Sequence, residues 1–318
     1  MLIKNQKQLL GIALILSTLC TPALTAASND EIKRATEFLR YQEVGADGGQ
    51  LQTAIVTYRN EKGVEVTLVG AVHIADGTYY RHLNKLFKSY DALLYELIAP
   101  PNQRPQRGQQ SSSFIGLLQR AMKRVLGLEF QLDGIDYSKK NFVHADMDPR
   151  QFRRAQQERG EGFLDMFLKI WMRSMQDQMS GKGVAGLDPN ELMRALSSDD
   201  IQRSLKILLA GEMQNIEALM AGISDENGES VILTERNKVA FEVLRKEMKK
   251  HRKLGIFYGA AHLPDMEERL LAMGFKLHAH EWLTAWNMPP TKDSAQEPAD
   301  TPTPSQPKPT QPRKRERF

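Results

Sequence analysis

The sequence predicts an α/β (α+β) fold: a mixed central sheet with flanking helices, two repeated strand–GAxH–helix–strand units and a helical insertion. Two observations predict it. Short apolar, β-branched runs alternate with stretches of helical spacing over residues 52–282. The segment Gly70-Ala71-Val72-His73-Ile74-Ala75-Asp76 also returns as Gly259-Ala260-Ala261-His262-Leu263-Pro264-Asp265, so the pattern GAxHxxD occurs twice, each time between a strand and a helix.

The elements follow in order. Residues 52–58 alternate and are β-branched, a turn follows at 60–63, and residues 64–72 form the second arm of a hairpin. Residues 78–90 carry helical spacing through Tyr79, Leu83, Leu86 and Phe87. Residues 92–98 (ALLYELI) read as a buried strand, 100–113 as a polar loop, and 114–126 as an amphipathic helix. A short strand is expected at 141–145. Asp148-Pro149 opens a helix, with Asp as N-cap and Pro as the first helical residue, and Asp188-Pro189 repeats that signature. Between them lies a Met-rich apolar helix, 163–179. Residues 192–223 continue as helix with breaks near Ser197 and Gly211. Thr234 caps a helix that runs to about His251. Residues 254–258 form a strand, 266–273 a helix and 275–282 a last strand. The helical insertion spans about 111–225.

The two ends differ from this body. Lys4 and Lys7 precede an apolar run over residues 9–19, and small residues follow at Ala23, Thr25, Ala26 and Ala27. This reads as a signal peptide, residues 1–27, with an uncleaved anchor as the alternative. It predicts a periplasmic or secreted protein. Cys20, the one cysteine, lies inside that segment, so the mature chain has neither disulfide nor thiolate chemistry. Residues 289–318 hold eight of the 15 prolines and end in Arg313-Lys314-Arg315-Glu316-Arg317. Such a stretch has little to bury and is expected to be disordered. It reads as a solubilising tail or as a contact with an anionic surface such as a membrane. Net charge is +4, but the ends supply all of it, and residues 28–288 hold 35 basic and 35 acidic side chains. A neutral body argues against nucleic acid as a partner, because phosphate binding needs clustered positive charge.

The candidate site grows from the repeat. His73 and His262 stand where apolar strands end, which is where ligand sites of such sheets gather. Two histidines at equivalent strand ends can face one another across a pseudo-twofold axis. Glu96 joins them, because a carboxylate ending the strand of Ala92, Leu93, Leu94, Leu97 and Ile98 needs a partner or a metal. Arg236 supplies that pairing or binds an anionic group. Asp76 and Asp265 fall at helix N-cap positions. His144 and Asp146 are weaker candidate ligands, and His278 and His280 share a face of the last strand.

Two distant GxxH motifs, a glutamate ending the strand after the first, and an arginine in an ERN-like helix start resemble the TraB/PrgY–TIKI superfamily, including GumN-like proteins. ChaN-like and erythromycin-esterase-like proteins are more distantly similar. The resemblance spans about residues 56–282. The family's motifs fall on Gly70 and His73, on Glu96, on Arg236, and on Gly259 and His262. The segment QLDGIDY (131–137) with His144-Ala145-Asp146 is similar as well. The resemblance implies a metal-dependent peptidase or related hydrolase acting on a peptide or small-molecule substrate. In that reading His73, Glu96 and His262 hold a divalent metal ion and Arg236 steadies the oxyanion. Two alternatives stand beside it: a metal-free, esterase-like hydrolase using His/Glu acid–base chemistry, and a non-catalytic protein that sequesters a peptide or ligand.

Overall fold

The computed structural model describes residues 37–100, 102–105, 123, 125–159, 189–213 and 230–291. The signal segment, the Met-rich helix, Asp188, most of the 114–126 helix and the tail beyond residue 291 lie outside them.

The fold is α/β, a mixed seven-stranded sheet with flanking helices. Strands β1 (Leu39–Val44), β2 (Gly48–Arg59) and β3 (Glu65–Ala71) run antiparallel to one another in turn. A two-residue strand, β4 (Ile74–Ala75), and helix α1 (Gly77–Leu86) follow, then β5 (Ala92–Tyr95). Strand β6 (Glu129–Phe130) pairs β4 outside the main sheet, and the short helix α2 (Gln131–Gly134) comes next. Strand β7 (Phe142–His144) precedes α3 (Pro149–Arg159), α4 (Pro189–Leu196), α5 (Ile201–Met213) and α6 (Arg236–Glu247). The chain then returns through β8 (Lys253–Gly259), α7 (Leu263–Ala272) and β9 (Lys276–Met288).

The long strand β2 organises one half of the sheet. One of its edges carries β9 along its whole length, and the other carries β1 and then β3. Beyond β3 the order is β8, β5, β7, all parallel. These strands read as near-continuous apolar runs because helices cover both faces of the sheet. Thr53 and Tyr58 lie on opposite faces of β2. The Tyr79 hydroxyl of α1 pairs with Thr53 at 3.1 Å, and Tyr58 donates to Glu267 of α7 at 2.6 Å, so α1 and α7 cover opposite faces.

The structure corrects several expectations. His73 and His262 do not face across a twofold axis. Their strands are parallel neighbours in which Ala71 pairs with Gly259, so the motifs lie side by side. Strand β9 runs on to Met288, so His280-Glu281 falls mid-strand. It carries one extra residue at Ala285 and one at His278, and the second bulge breaks the alternation expected of His278 and His280. The short strand expected at 141–145, inside the helical insertion, is present as Phe142–His144, an edge strand of the main sheet. Helix α5 passes through Gly211 without a break, whereas the break near Ser197 is present.

Capping differs as well. Asp148 caps α3 as expected, accepting from Arg150 N and Gln151 N. Ser230 rather than Thr234 caps the next helix, because a π-helical turn over Val231–Glu235 moves the start upstream. Asp76 holds the cap position of α1 without a capping bond. Its carboxylate takes Lys206 Nζ at 2.8 Å and Asn287 N at 2.6 Å. Asp265 lies inside α7 and binds Asn237 and Arg269. Among the described residues no helix is long and apolar enough to cross a membrane.

Burial pushes the Glu267 carboxyl above its usual value near 4.5, and the Tyr58 hydrogen bond offsets this only in part. The folded chain thus holds this proton more tightly than the unfolded chain does. The resulting penalty is absent below about pH 4.5 and grows as pH rises through the folded value. Glu267→Gln, whose carboxamide still accepts from Tyr58, is therefore expected to stabilise the protein at pH 7 and to have no such effect near pH 4. Urea denaturation at the two pH values measures this, and equal effects at both would refute it.

Candidate active site

The carboxyl ends of β5, β7 and β8 lie together, because Tyr95 pairs with both Phe257 and His144. The residues just past these ends are Glu96, Asp146 and the segment Ala260–His262. Each strand thus delivers one polar group to a single edge, the usual place for ligand sites in parallel sheets.

Arg236, the first residue of α6, enters this edge from above and is buried. Its Nε and Nη2 form a fork on Asp146, at 3.0 Å to Oδ1 and 2.6 Å to Oδ2. Nη2 also donates to Glu96 Oε1 at 2.7 Å. Glu96 Oε2 accepts from Gly259 N at 2.8 Å. Burial alone would raise the Glu96 carboxyl. His262 in its imidazolium form, Arg236 and the Gly259 N–H hold it well below its usual range, so it is ionised. Burial alone would lower Arg236, but Asp146 and Glu96 outweigh it and raise the guanidinium, which stays charged.

His262 closes the cluster from the turn after β8. It is 4% exposed and packs edge-to-face on Tyr258, whose hydroxyl donates to the Ala145 carbonyl. Its Nδ1 lies 2.8 Å from Asn237 Oδ1. The Asn237 amide nitrogen donates to two groups that can only accept, the His262 carbonyl at 3.0 Å and Asp265 Oδ2 at 2.7 Å. That fixes the carboxamide with its oxygen toward the ring, so Nδ1 carries a proton, and in the neutral ring Nε2 carries the lone pair. Nε2 then stands 3.5 Å from Glu96 Oε1 and 3.4 Å from Arg236 Nη1, longer than well-formed hydrogen bonds.

The expected site residues divide. The structure brings Glu96, Arg236 and His262 together. His73 lies at the same edge, past the end of neighbouring β3, but it is exposed and its Nδ1 contacts Gln131 Oε1 at 3.2 Å. The GAxH copies diverge after their shared Gly-Ala, since the first continues to β4 and the second turns at once into α7. His144 is tied by Nε2 to the Leu97 carbonyl at 2.7 Å and packs on Tyr95. Asp146 belongs to the cluster as the partner of Arg236.

The donor set bears on a resident metal. Glu96 and His262 offer two donors 3.5 Å apart, a spacing that two ligands of one ion have. Both carboxylates, however, are already engaged by Arg236 and by backbone N–H groups, with Asp146 Oδ1 also taking Met147 N at 2.7 Å. Among the described residues no three His, Cys, Asp or Glu side chains gather as a metal group. As it stands, the cluster is organised around an internal guanidinium and does not fit a three-ligand ion.

Asn237, Tyr258 and Gln131 are the parts that sequence reasoning did not assign. Asn237 follows Arg236 in the ERN triplet, and Gln131 opens QLDGIDY, so both sat within motifs already noticed. Comparison with protein-family models, curated proteins and solved structures finds no match for this chain.

Removing the guanidinium leaves two buried carboxylates without a counter-ion. Arg236→Ala is therefore expected to destabilise the fold by about 3–5 kcal/mol at pH 7, read by chemical denaturation. Glu96 contributes stability above its ordinary pKa, and that contribution is lost as pH falls through its depressed folded value, so the loss shrinks in acid. A loss under about 1 kcal/mol at pH 7, as for an exposed pair, would contradict this.

Proposed function

We propose that this chain is an exported hydrolase that cleaves a peptide or ester bond by acid–base chemistry at His262. The observation that carries this reading is the His262 imidazole. Its Nδ1 is held by Asn237, and its Nε2 lone pair stands 3.5 Å from an ionised carboxylate. A base oriented by one group and flanked by a charge is the arrangement that general-base hydrolysis needs.

Nε2 takes a proton from water as the water oxygen bonds to the substrate carbonyl carbon. Collapse then breaks the bond to the leaving oxygen or nitrogen, which receives that proton from Nε2. Glu96 stabilises the imidazolium formed in between, and Arg236 keeps Glu96 ionised and in place. The resemblance of the GxxH, Glu and Arg positions to a hydrolase superfamily supports the reaction class. The charged start, apolar run and small residues of 1–27 support export, and the basic tail fits a peripheral contact with an anionic membrane.

A metal-dependent hydrolase is the second reading, favoured by the 3.5 Å spacing of Glu96 and His262. It requires His73 to join them. One experiment separates the readings. The purified chain is assayed on libraries of peptides and acyl esters, with and without chelator, and its metal content is measured. Turnover that survives chelation and falls about 10²–10⁴-fold in His262→Ala, with the circular dichroism unchanged, is the expected result. Stoichiometric metal with chelator-sensitive turnover would favour the second reading. Full activity of His262→Ala would overturn both.

A further inference from the structure

The two histidines of the repeated motif have the same kind of partner. His262 Nδ1 meets the carboxamide oxygen of Asn237 at 2.8 Å. His73 Nδ1 meets the carboxamide oxygen of Gln131 at 3.2 Å. Both amides are buried, and each residue binds its histidine twice, Asn237 through both ends of its side chain and Gln131 through its side-chain oxygen and its backbone N–H. Asn237 Nδ2 donates to the His262 carbonyl, and Gln131 N donates to the His73 carbonyl at 2.8 Å. Each amide makes a further bond: Asn237 to Asp265, which can only accept and so orients the carboxamide, and Gln131 Nε2 to the Tyr137 hydroxyl at 2.9 Å. The anchors come from unrelated places, α2 and α6, so the GAxHxxD repeat does not bring them along.

We propose that Gln131 and Asn237 are matched positioning residues that hold His73 and His262 in one tautomer, with Nδ1 protonated and both Nε2 lone pairs available at the carboxyl edge of the sheet. The anchoring does two things. It sets each ring's rotation, because the acceptor lies on one side only. It also reverses the tautomer that a free imidazole prefers, which places the proton on Nε2. An imidazole in the wrong tautomer keeps its geometry and loses its function as a base. Buried His262 then serves as the working base, and exposed His73 presents a second acceptor at the rim for substrate or solvent protons. The catalytic arm of this inference rests on the proposed hydrolase reading; the tautomers do not.

The test uses the full chain labelled with ¹⁵N-histidine. Two-bond ¹⁵N–¹H correlation spectra distinguish Nδ1–H from Nε2–H rings directly, and His73→Ala and His262→Ala assign the signals. The wild type is expected to show both rings as Nδ1–H. Gln131→Leu is expected to return His73 alone to Nε2–H. Asn237→Leu is expected to return His262 alone to Nε2–H, and Gln131→Glu, which keeps an acceptor oxygen, is expected to preserve the His73 pattern; the wild-type spectrum and the two Gln131 variants keep the experiment decisive if Asn237→Leu fails to fold. In turnover, Gln131→Leu is expected to lower kcat about 10–100-fold with KM unchanged, the usual size of an orienting contact. An Nε2–H signal for His73 or His262 in the wild type overturns the proposal, as does a His73 signal indifferent to Gln131→Leu. Nδ1–H rings in a chain that shows no turnover would sink the hydrolase reading and leave the positioning intact.

Discussion

One guanidinium makes the carboxyl edge of this sheet possible. Glu96 and Asp146 end adjacent parallel strands, and both are removed from water beside an apolar core. Two buried carboxylates that close would repel each other and would ionise only at large cost. Arg236 resolves this by binding Asp146 through a fork and Glu96 through a shared nitrogen. Lysine cannot substitute, because a single ammonium lacks the planar pair of donors that meets both oxygens of Asp146. The same residue ties α6 to β5 and β7, so it joins the sheet's stability to the order of its polar edge.

The topology explains why the reactive groups meet there. Four parallel strands point their carboxyl ends the same way, and β8 lies between β3 and β5. Residues near 71, 96, 145 and 260 are thereby brought to one edge from across the chain. The tight turn at Gly259 is the other requirement. Its N–H reaches Glu96, and the turn swings His262 back over the end of its own strand. The first motif lacks that turn and leaves His73 at the rim. Identical tetrapeptide patterns thus yield a buried imidazole and an exposed one.

Much of this was legible in the sequence, and the parts that were not share a cause. The hairpin, the buried strand before Glu96, the Asp148 cap and the helices after each GAxH follow from local patterning, which one segment carries by itself. The neighbourhood of β3 and β8 does not, because their register is set by side chains almost two hundred positions apart. That is why the motifs could be read as face to face and are found side by side. Strand β9 was read short, since its bulges at His278 and Ala285 interrupt the alternation that marks a strand. Strand β1 went unread because LRYQEV is mostly polar. In the site, Glu96 and Arg236 stood out as charges in apolar surroundings. Asn237 and Gln131 carry no charge, and their role appears only when the rings they hold are seen.

The central claim is that Arg236 is the shared counter-ion on which the burial of Glu96 and Asp146 depends. A double-mutant cycle with Arg236→Met and Asp146→Asn, measured by urea denaturation at pH 7, tests it most directly. Contacting members of one charge network couple by about 0.5–3 kcal/mol, whereas independent sites add to within about 0.5 kcal/mol. The account predicts coupling near the upper end of that range, the double variant being far more stable than the two single losses imply. Simple additivity would contradict it.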